Sequence, residues 1–559
     1  MGELFKRLKA YPLVTAELLG ASLFANILAL ASPLFVIQVL NRYVSHGVDA
    51  TLFTLTAGVL IAISFEVAFR QIRLSIATAL SQPFDRAYAT GVFEVLTGAR
   101  ADALSQIPPG QKREAAAAAD AIQQAYAAPN IAAYLDLPFA VVFLSALLLL
   151  SPPLAMIATA FVGVVIALGW GSLIAMKKPS DEMVERLGER QGLLDSALSD
   201  PDSVRAFTAQ GYLHKRWAVL MDGLDRVRTK VSARQGGSQN LTQGVQALLS
   251  TSMIAAGGML VVSGNLDVGL LIGANILAAR AIGPVIRITQ LAGPSAKAKT
   301  AQKTLGNLMR LPREQRRGSA LAGYKGGIEF KDIGFAYPSQ PTPLFESLNL
   351  KLEPNALFVV SGANGTGKTT LARMLAGLLA PSRGQILIDG VDLTQIAPEW
   401  WRRQIIYLPQ EPSFFTGTVR DNILAYNPDL DEKGLNTVIR DAGLENYFST
   451  TREGFEMKLV AGGRNLPVGI RRRLALARAL ASDGRLVILD EPTEGMDSEG
   501  TQQIGRVMNV LSKKGCTIIA LSHDPNIIKG ALHILDLNAK PVPRLLKVQA
   551  GDAQNKGAV

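Results

Sequence analysis

A glycine-containing segment at residues 361–370 has the residue types and spacing of a phosphate-binding loop. Gly362 is followed, after four other residues, by Gly367, Lys368 and Thr369, and the segment lies between an apolar run and a helix-like run. Glycines allow a tight turn whose backbone N–H groups surround phosphates, and a following helix N-terminus favours negative charge. Lys368 can reach the β- and γ-phosphates, and the Thr369 hydroxyl can bind Mg²⁺. The segment therefore predicts nucleotide binding, against the simpler alternative of a glycine-rich turn.

Two acidic residues follow the apolar run at residues 486–489 and could act on a nucleotide held by that loop. Asp490 is placed to hold Mg²⁺, directly or through water, and Glu491 could polarise the attacking water as a general base. An Asp-Glu pair after a strand is also a common surface turn. Its position downstream of a phosphate-binding loop favours the catalytic interpretation.

Three more side chains could complete such a site. Gln410 ends the run 405–410 and could reach the metal or the water. His523 follows the predicted strand 517–521 and could contact a γ-phosphate, although a lone histidine is usually structural. Tyr337 could stack on adenine, and the alternative is an ordinary aromatic residue in a turn.

The composition indicates that this site belongs to a membrane protein. The 559 residues are 48% hydrophobic and 18% charged, and this is too apolar for a soluble enzyme of this size. The net charge of +11 suggests nucleic acid or a membrane as a partner. Because the chain has no Lys/Arg block of the kind found in nucleic-acid-binding arms, we assign the excess to loops near anionic membrane lipids and expect no nucleic acid. The single cysteine, Cys516, excludes an intramolecular disulfide framework.

Long apolar segments fill the first half of the chain, and each has about the length that a helix needs to cross a bilayer. The segments are residues 13–40, 50–70, 131–150, 152–176, 241–262 and 268–288. A soluble core could produce one or two such runs, so the whole set predicts an α-helical transmembrane domain with six spans. No small-residue cleavage site follows the basic start of the chain, which favours a retained anchor over a signal peptide.

Basic residues concentrate in the two long connections, which follow the second and fourth spans. They include Arg73, Arg86, Lys112, Arg113, Lys177, Lys178, Arg186 and Arg190. The three short connections hold only Arg42. By the positive-inside rule, both termini, the two long connections and the nucleotide-binding domain are predicted to be cytoplasmic.

The long connections also have helical patterns, at residues 115–128 and 180–198. One interpretation is a separate cytosolic bundle. The other is that the membrane helices continue about 40 Å beyond the bilayer, as two legs of roughly 25 residues would allow.

A few charged residues lie within the predicted spans, namely Glu17, Glu66, Arg70, Arg280 and Arg287. Charge inside a membrane is costly and usually faces a bundle interior or a cavity. Glu66 and Arg70 are four residues apart, so we expect them to pair on one helix face rather than to contact a substrate.

The second half of the chain has a different organisation. After a transmembrane domain at residues 1–310, the polar stretch 311–326 is predicted to be a linker. Short strand-like and helical runs then alternate across residues 327–540, which predicts an α/β P-loop nucleotide-binding domain. Residues 541–559 are expected to form a flexible C-terminal tail.

Taken together, these residues resemble the ATPase domain of ABC transporters over about residues 327–537. The resemblance implies an adenine-stacking Tyr337, Gln410 in the Q-loop, Asp490 in Walker B, Glu491 as the catalytic glutamate and His523 as the switch histidine. It also implies a nucleotide-binding Walker A formed by Gly362, Ala363, Asn364, Gly365, Thr366, Gly367, Lys368, Thr369 and Thr370. The implied cofactors are ATP and Mg²⁺, with Thr369, Gln410 and Asp490 at the metal.

The spans with long cytoplasmic legs ahead of this domain resemble an ABC exporter half-transporter of type IV fold. Residues 33–42, 136–139 and 276–284 are similar to type I secretion permease/ATPases. This similarity implies an ATP-hydrolysing exporter that moves an unfolded protein across the bacterial inner membrane. A periplasmic adaptor (membrane fusion) protein and an outer-membrane channel would be its partners.

The chain departs from the family at the signature motif, which closes over the nucleotide held by the other subunit. Where the family has Leu-Ser-Gly-Gly-Gln, this chain has Leu466, Pro467, Val468, Gly469 and Ile470. Proline offers neither the hydroxyl nor the N–H that the serine would direct at the γ-phosphate. Residues 494–497, Glu-Gly-Met-Asp, likewise differ from the usual Ser-Ala-Leu-Asp. The resulting surface is expected to promote hydrolysis poorly in the partner's site.

Several functions are compatible with this combination. An intact Walker A and Walker B beside a degenerate signature favour a heterodimer, in which a second ABC half-transporter supplies a working signature. A slow homodimer is the competing arrangement. The functional alternatives are an ATP-binding regulatory or gating subunit with low turnover, and a half-transporter that exports lipid or peptide.

Overall fold

The computed structural model describes residues 2–44, 47, 49–315, 318–337, 342–531 and 533–547. The chain forms two compact units. The first comprises Met1–Ala99 and Ala103–Pro312, and the second comprises Arg100–Asp102 and Arg313–Val559.

Helices make up the first unit. In chain order they are α1 (Gly2–Ala10), α2 (Pro12–Leu28), α3 (Ala31–Gln38), α4 (Asp49–Gly98), α5 (Ala101–Ser105, whose first two residues are assigned to the second unit), α6 (Pro109–Ala125), α7 (Ala128–Leu150), α8 (Pro152–Ser199), α9 (Pro201–Ala206), α10 (Gln210–Val262), α11 (Val268–Gln290) and α12 (Ala292–Met309). Among the described residues, 6 helical stretches are long and apolar enough to cross a membrane. The predicted six-span domain is thereby confirmed.

Three of the helices are much longer than a membrane span. α4, α8 and α10 contain 50, 48 and 53 residues. At the α-helical rise they extend about 75 Å, well over twice the roughly 30 Å hydrocarbon core of a bilayer. Each combines an apolar stretch with a polar continuation in one helix. This continuity supports the interpretation that the membrane helices extend beyond the bilayer.

One predicted helix, residues 115–128, is divided in two. α6 ends at Ala125 and α7 begins at Ala128. The cause is Pro129, which has no N–H to donate to the Ala125 carbonyl four residues earlier. The side-chain amide of Asn130 donates to that carbonyl instead, at 3.2 Å, and so satisfies the end of α6.

A buried carboxylate, Asp136 on α7, joins several helices of the first unit. Asp136 pairs with Arg73 of α4 at 2.5 Å, and both side chains are 4% exposed. It also accepts a hydrogen bond from Asn26 of α2 at 2.9 Å and lies 3.8 Å from Arg287 of α11. Because burying a charge without a partner is costly, these contacts favour one arrangement of the four helices.

Glu66 on α4 forms a second charged cluster. It pairs with Arg70 at 2.8 Å, which confirms the expected pair on one helix face. The guanidinium of Arg280, on α11, lies 3.4 Å from the same carboxylate oxygen. Glu66 therefore also connects α4 with α11.

Strands and shorter helices alternate in the second unit. The strands are β1 (Ile328–Phe335), β2 (Phe345–Leu352), β3 (Leu357–Ser361), β4 (Arg383–Ile388), β5 (Val391–Asp392), β6 (Ile405–Leu408), β7 (Gly417–Thr418), β8 (Lys458–Leu459), β9 (Leu486–Asp490), β10 (Thr517–Leu521), β11 (His533–Asp536) and β12 (Arg544–Lys547). The helices are α13 (Lys368–Leu375), α14 (Pro398–Arg403), α15 (Val419–Leu424), α16 (Glu432–Asp441), α17 (Glu445–Thr450), α18 (Val468–Leu480), α19 (Ser498–Lys513) and α20 (Pro525–Lys529). This is the predicted α/β domain.

The central sheet has the strand order β12-β11-β3-β10-β9-β6, and a smaller antiparallel sheet has the order β2-β1-β4-β5. From β11 to β6 neighbouring strands are parallel. Both faces of this parallel part are covered: Val359 packs in one hydrophobic cluster, and its neighbours Phe358 and Val360 pack in another. Successive side chains of a strand point to opposite faces, so apolar residues occupy both faces of β3 and do not alternate with polar ones.

The C-terminal region differs from the predicted loose tail. Arg544–Lys547 form β12, which pairs antiparallel with β11, from Asp536↔Arg544 to His533↔Lys547. Leu545 and Leu546 remain 41% and 45% exposed, so backbone pairing at the sheet edge, rather than burial, explains this strand. The expectation for residues 548–559 lies outside the described residues.

Candidate functional site

The glycine-containing loop connects β3 to α13, as the sequence predicted. Gly365 and Gly367 have φ of +82° and +109°, a region that side-chain-bearing residues rarely adopt. A Cβ at Gly367 would lie 2.6 Å from a methyl group of Leu344. The loop therefore requires glycine at this position both for its backbone conformation and for space, and Lys368 begins the helix that follows.

The order of strands in the sheet brings the other predicted residues to this loop. β3, β10, β9 and β6 are consecutive and parallel, so their carboxyl ends meet at one edge. His523 follows β10, Asp490 ends β9, Glu491 comes next, and Gln410 follows β6.

Lys368 lies at the centre of the cluster and is 7% exposed. Its Nζ donates to the Gly362 carbonyl at 2.6 Å, lies 2.7 Å from Nε2 of His523 and lies 3.3 Å from Oε1 of Glu491. His523 Nε2 is in turn 3.5 Å from that Glu491 oxygen. The cation and the two expected catalytic groups are thus in mutual contact.

Glu491 is held by its backbone as well as by its side chain. Its φ of +46° is uncommon for a residue with a side chain, and such conformations cluster at functional sites. Its N–H donates to the Leu521 carbonyl at 2.8 Å, and its own carbonyl accepts from Arg472 at 3.1 Å. These bonds fix the peptide from which the carboxylate projects.

Asp490 is the buried acid of the site, at 1% exposure. In the described part of the chain neither of its carboxylate oxygens has a hydrogen-bond partner. Burial raises the pKa of Asp490 to about 6; the Thr369 hydroxyl and Lys368 are near enough to oppose this rise, while Glu491 adds to it. A buried carboxylate with both oxygens unsatisfied is suited to a cation, whose charge would favour its ionised form.

Two neutral oxygens accompany that carboxylate. The Thr369 hydroxyl donates to Oε1 of Gln410 at 3.3 Å. No group of three His, Cys, Asp or Glu that could hold a metal occurs among the described residues. A hydroxyl, an amide oxygen and one carboxylate fit Mg²⁺ bound to a nucleotide, because this ion takes few protein ligands and completes its shell with phosphate oxygens and water.

A contact that sequence reasoning missed joins Gln410 to Glu494 and Arg472. Nε2 of Gln410 donates to Oε2 of Glu494 at 3.2 Å, and Nη2 of Arg472 donates to the same oxygen at 3.3 Å. The hydrogen bond from Gln410, followed by the one from Arg472, lowers the pKa of Glu494, so this carboxylate stays ionised. The sequence indicated only that Glu494 replaces the serine usual in the family.

Tyr337 follows β1 and lies beside the first turn of α13. Its hydroxyl is 2.9 Å from the Thr370 hydroxyl, and its ring packs edge-on against Phe335 at 4.9 Å between centroids. The structure therefore places Tyr337 next to α13, with its ring held by a neighbouring aromatic residue.

The glycine-containing loop also contacts the segment after β11, which the sequence did not indicate. Oδ1 of Asn538 accepts from the Ala363 N–H at 2.8 Å, and the Leu537 N–H donates to the Ser361 carbonyl at 2.8 Å. Asn538 lies just beyond β11, which pairs with β3. No sequence pattern distinguishes this asparagine from an ordinary turn residue.

Residues 466–470, which the sequence analysis aligned with the family's signature motif, lie at the N-terminus of α18. Pro467 is its N-cap, with φ −54° and ψ 148°, and provides no side-chain hydrogen bond to the helix. Leu466 is buried, whereas Val468 is 51% exposed. Among the described residues, no hydrogen bond or ion pair joins residues 466–470 to the phosphate loop.

Comparison with known proteins agrees with this geometry. The family described as ABC transporter transmembrane region matches residues 16–285, and the family described as ABC transporter matches residues 345–494. The chain belongs to the ABC transporters. Within that family it is a transmembrane domain fused to an ATPase domain, and thus a multi-pass membrane protein. It is an ATPase coupled to transport, and its nucleotide is ATP.

Similar proteins extend the match across nearly the whole transporter. The Toxin RTX-I translocation ATP-binding protein of Actinobacillus pleuropneumoniae is 27% identical over 528 residues, which is 94% of this chain and 74% of that protein. The Leukotoxin translocation ATP-binding protein LktB of Mannheimia haemolytica is 28% identical over 531 residues, again 94% and 74%. The Alpha-hemolysin translocation ATP-binding protein HlyB of Escherichia coli is 27% identical with the same coverage.

The fold also matches that of a solved exporter. The structure of a bacterial Atm1-family ABC exporter with ATP bound superposes with a TM-score of 0.82, at 18% identity, over 94% of each chain. This transporter is therefore an ABC exporter in architecture, as its long helices and α/β domain indicated.

Proposed function

We propose that this transporter is one half of a type I secretion exporter, which uses ATP hydrolysis to move an unfolded protein across the bacterial inner membrane. The observation that carries the proposal is the extent of the similarity. Proteins described as toxin translocation ATP-binding proteins match 94% of this chain, its membrane spans and its ATPase domain together. The partners of such an exporter are a periplasmic adaptor, an outer-membrane channel and the cargo protein.

In this proposal the phosphate loop holds ATP. Backbone N–H groups of residues 364–370 bind phosphate oxygens, and Lys368 contacts the β- and γ-phosphates. Adenine stacks on Tyr337, whose ring is already held beside α13. The close contact of Lys368 with Gly362, His523 and Glu491 supports this assignment, because phosphate oxygens are stronger partners for an ammonium group than a carbonyl and a histidine.

Thr369, Gln410 and Asp490 hold Mg²⁺. Bound there, Mg²⁺ would neutralise part of the charge on the β- and γ-phosphates. The unsatisfied oxygens of Asp490 support this role, since a buried carboxylate without partners is otherwise costly.

Glu491 accepts a proton from the attacking water, and His523 contacts the γ-phosphate. Lys368 is 3.3 Å from Glu491 and holds the carboxylate in place. When Lys368 turns to the phosphates, the Glu491 oxygen becomes available to the water. The fixed peptide of Glu491 supports this role, because a general base must be oriented before it can act.

The dimer partner is a second half-transporter with an intact Leu-Ser-Gly-Gly-Gln. In a homodimer both ATP sites would face Pro467 and Val468, which lack the hydroxyl and the small surface that a γ-phosphate needs. With a different partner, this chain's Walker motifs form the hydrolytic site. The site that faces this chain's signature holds ATP for long periods and acts as a clamp.

Both termini and the ATPase domain lie in the cytoplasm. The support is the distribution of basic residues, which concentrate in the continuations of α4, α8 and α10 beyond their apolar stretches.

Transport into inverted vesicles tests the proposed function. The exporter, reconstituted with its candidate partner, should accumulate a tagged unfolded polypeptide only with hydrolysable ATP, and Lys368→Ala should abolish accumulation. Movement of labelled lipid without movement of polypeptide would show that the transporter exports lipid and not protein. ATP binding without movement of either would favour a gating subunit, the alternative that the degenerate signature supports.

A further inference from the structure

The side-chain amide of Gln410 lies between the Thr369 hydroxyl and the Glu494 carboxylate, and of these two groups only the carboxylate requires one particular end of the amide. Its Oε1 accepts from the Thr369 hydroxyl at 3.3 Å, and its Nε2 donates to Oε2 of Glu494 at 3.2 Å. The oxygen end is thus on the side of the proposed metal ligands, and the nitrogen end is on the side of Glu494.

The two ends of an amide have nearly the same shape, so packing alone does not choose between them. An ionised carboxylate does choose, because it only accepts hydrogen bonds. Glu494 can bond to the NH₂ group of Gln410 but not to its oxygen. A serine, which the family usually has here, both donates and accepts, and so would be satisfied by either end. The departure at residue 494 therefore has a specific chemical consequence.

Arg472 keeps the Glu494 carboxylate in position. Its Nη2 donates to Oε2 of Glu494 at 3.3 Å, and its Nη1 donates to the Glu491 carbonyl at 3.1 Å. The Arg472 side chain is 13% exposed, whereas that of Glu494 is 53% exposed. A more buried arginine, itself fixed to the peptide of Glu491, thus anchors a carboxylate that would otherwise move freely in solvent.

We propose that Glu494 is a positioning residue for the metal site: it orients the Gln410 amide so that Oε1 faces Thr369 and the bound cation. This inference rests on the proposed assignment of Thr369, Gln410 and Asp490 as Mg²⁺ ligands. It does not depend on what the exporter transports.

Equilibrium binding of ATP to the full-length purified transporter tests this role, with either Mg²⁺ or excess EDTA present. Glu494→Ala should leave the affinity in EDTA unchanged and should weaken the affinity in Mg²⁺ by about fivefold, the equivalent of one ordinary hydrogen bond. A residue that merely stabilised the fold would change both affinities alike. Equal losses in the two buffers, or no loss in Mg²⁺, would overturn the proposal.

A double substitution makes the test specific to the amide. In Gln410→Glu both terminal atoms are oxygens, so orientation no longer matters, and adding Glu494→Ala should cause no further loss in Mg²⁺. A further fivefold loss in this background would contradict the proposal. Glu411→Ala is the matched control, since it removes an exposed carboxylate one residue from Gln410 that has no hydrogen bond or ion pair in the described part of the chain.

Two further outcomes are decisive. If Glu494→Ala does not yield folded protein, Glu494→Gln keeps the size of the side chain but can donate as well as accept. Glu494→Gln should show a smaller loss of ATP affinity, and only in Mg²⁺. The absence of such a loss would overturn the role of Glu494.

If the parental transporter gains no ATP affinity from Mg²⁺, the assignment of the metal ligands fails and the inference fails with it. If Glu494→Ala gains as much ATP affinity from Mg²⁺ as the parental transporter does, the role of Glu494 is refuted and the assignment of the metal ligands stands.

Discussion

Nζ of Lys368 lies 2.7 Å from Nε2 of His523, although 155 residues separate them in the chain. The contact exists because β3 and β10 are adjacent and parallel, and both residues follow the carboxyl ends of these strands. The fold itself therefore brings together two groups proposed to meet the γ-phosphate.

Replacing Lys368 by alanine should weaken ATP binding by roughly 10- to 100-fold, because a hydrogen bond to a charged group contributes about 1.5–3 kcal/mol. Titration of fluorescent ATP against the purified transporter measures this. The matched control is Lys433→Ala, an exposed lysine of the same domain, which should bind ATP normally. Unchanged affinity in Lys368→Ala would refute the assignment of the phosphate loop.

Glu491→Gln should separate binding from hydrolysis. The amide preserves the size of the side chain but cannot accept the proton, so turnover should fall by about 10²–10⁴-fold, the usual contribution of a general base. ATP affinity should be retained. Steady-state ATPase assays with a parallel binding titration test both parts, and hydrolysis at the parental rate would place the base elsewhere.

Asp136→Ala should destabilise the helical unit strongly. It leaves Arg73, which is 4% exposed, without its charged partner at 2.5 Å, and such losses cost about 3–5 kcal/mol. Thermal unfolding in detergent should show a clearly lower midpoint. The control is Glu189→Ala, which removes an exposed partner of Arg186 and should cost less than about 1 kcal/mol. Similar midpoints for the two variants would show that the Asp136 contacts contribute little.

Cysteine labelling should establish the orientation. Ser263→Cys is expected to react with an impermeant reagent added outside, and Glu182→Cys should react only after the membrane is opened. Both positions are exposed, whereas Ser151 and Ser180, also near the ends of apolar stretches, are 4% and 1% exposed and would label poorly. The native Cys516 is 5% exposed and should give little background. The reverse labelling pattern would show that the protein has the opposite orientation in the membrane.

The proposed heterodimer predicts how turnover depends on the partner. Alone, this chain should hydrolyse ATP below about 1 s⁻¹, the low end of typical enzyme turnover. The candidate partner should raise this rate, and Glu491→Gln in this chain should abolish the gain. The combined variant Pro467→Ser, Val468→Gly, Ile470→Gln should make the homodimer more active, and serine is also a good N-cap for α18. A homodimer already active at 1 s⁻¹ or more would contradict the hypothesis.

Much of the architecture could be predicted because it depends on local chain properties. Apolar length identified the membrane spans, and continuous apolar runs identified β3, β6, β9 and β10. The glycines and Lys368 indicated a phosphate loop because the backbone conformation and the charge requirement belong to that segment itself. Even the interruption between α6 and α7 had a local cause in Pro129.

The tertiary structure decided which side chains meet. The bond between Gln410 and Glu494 joins residues 84 apart, and the bond between Ala363 and Asn538 joins residues 175 apart. Nothing near Glu494 in sequence indicates that its carboxylate lies beside an amide from another strand end. Hydropathy and conformational preference act over a few neighbouring residues. Contacts across the sheet edge follow from the order in which the packed domain arranges its strands, which depends on the whole core.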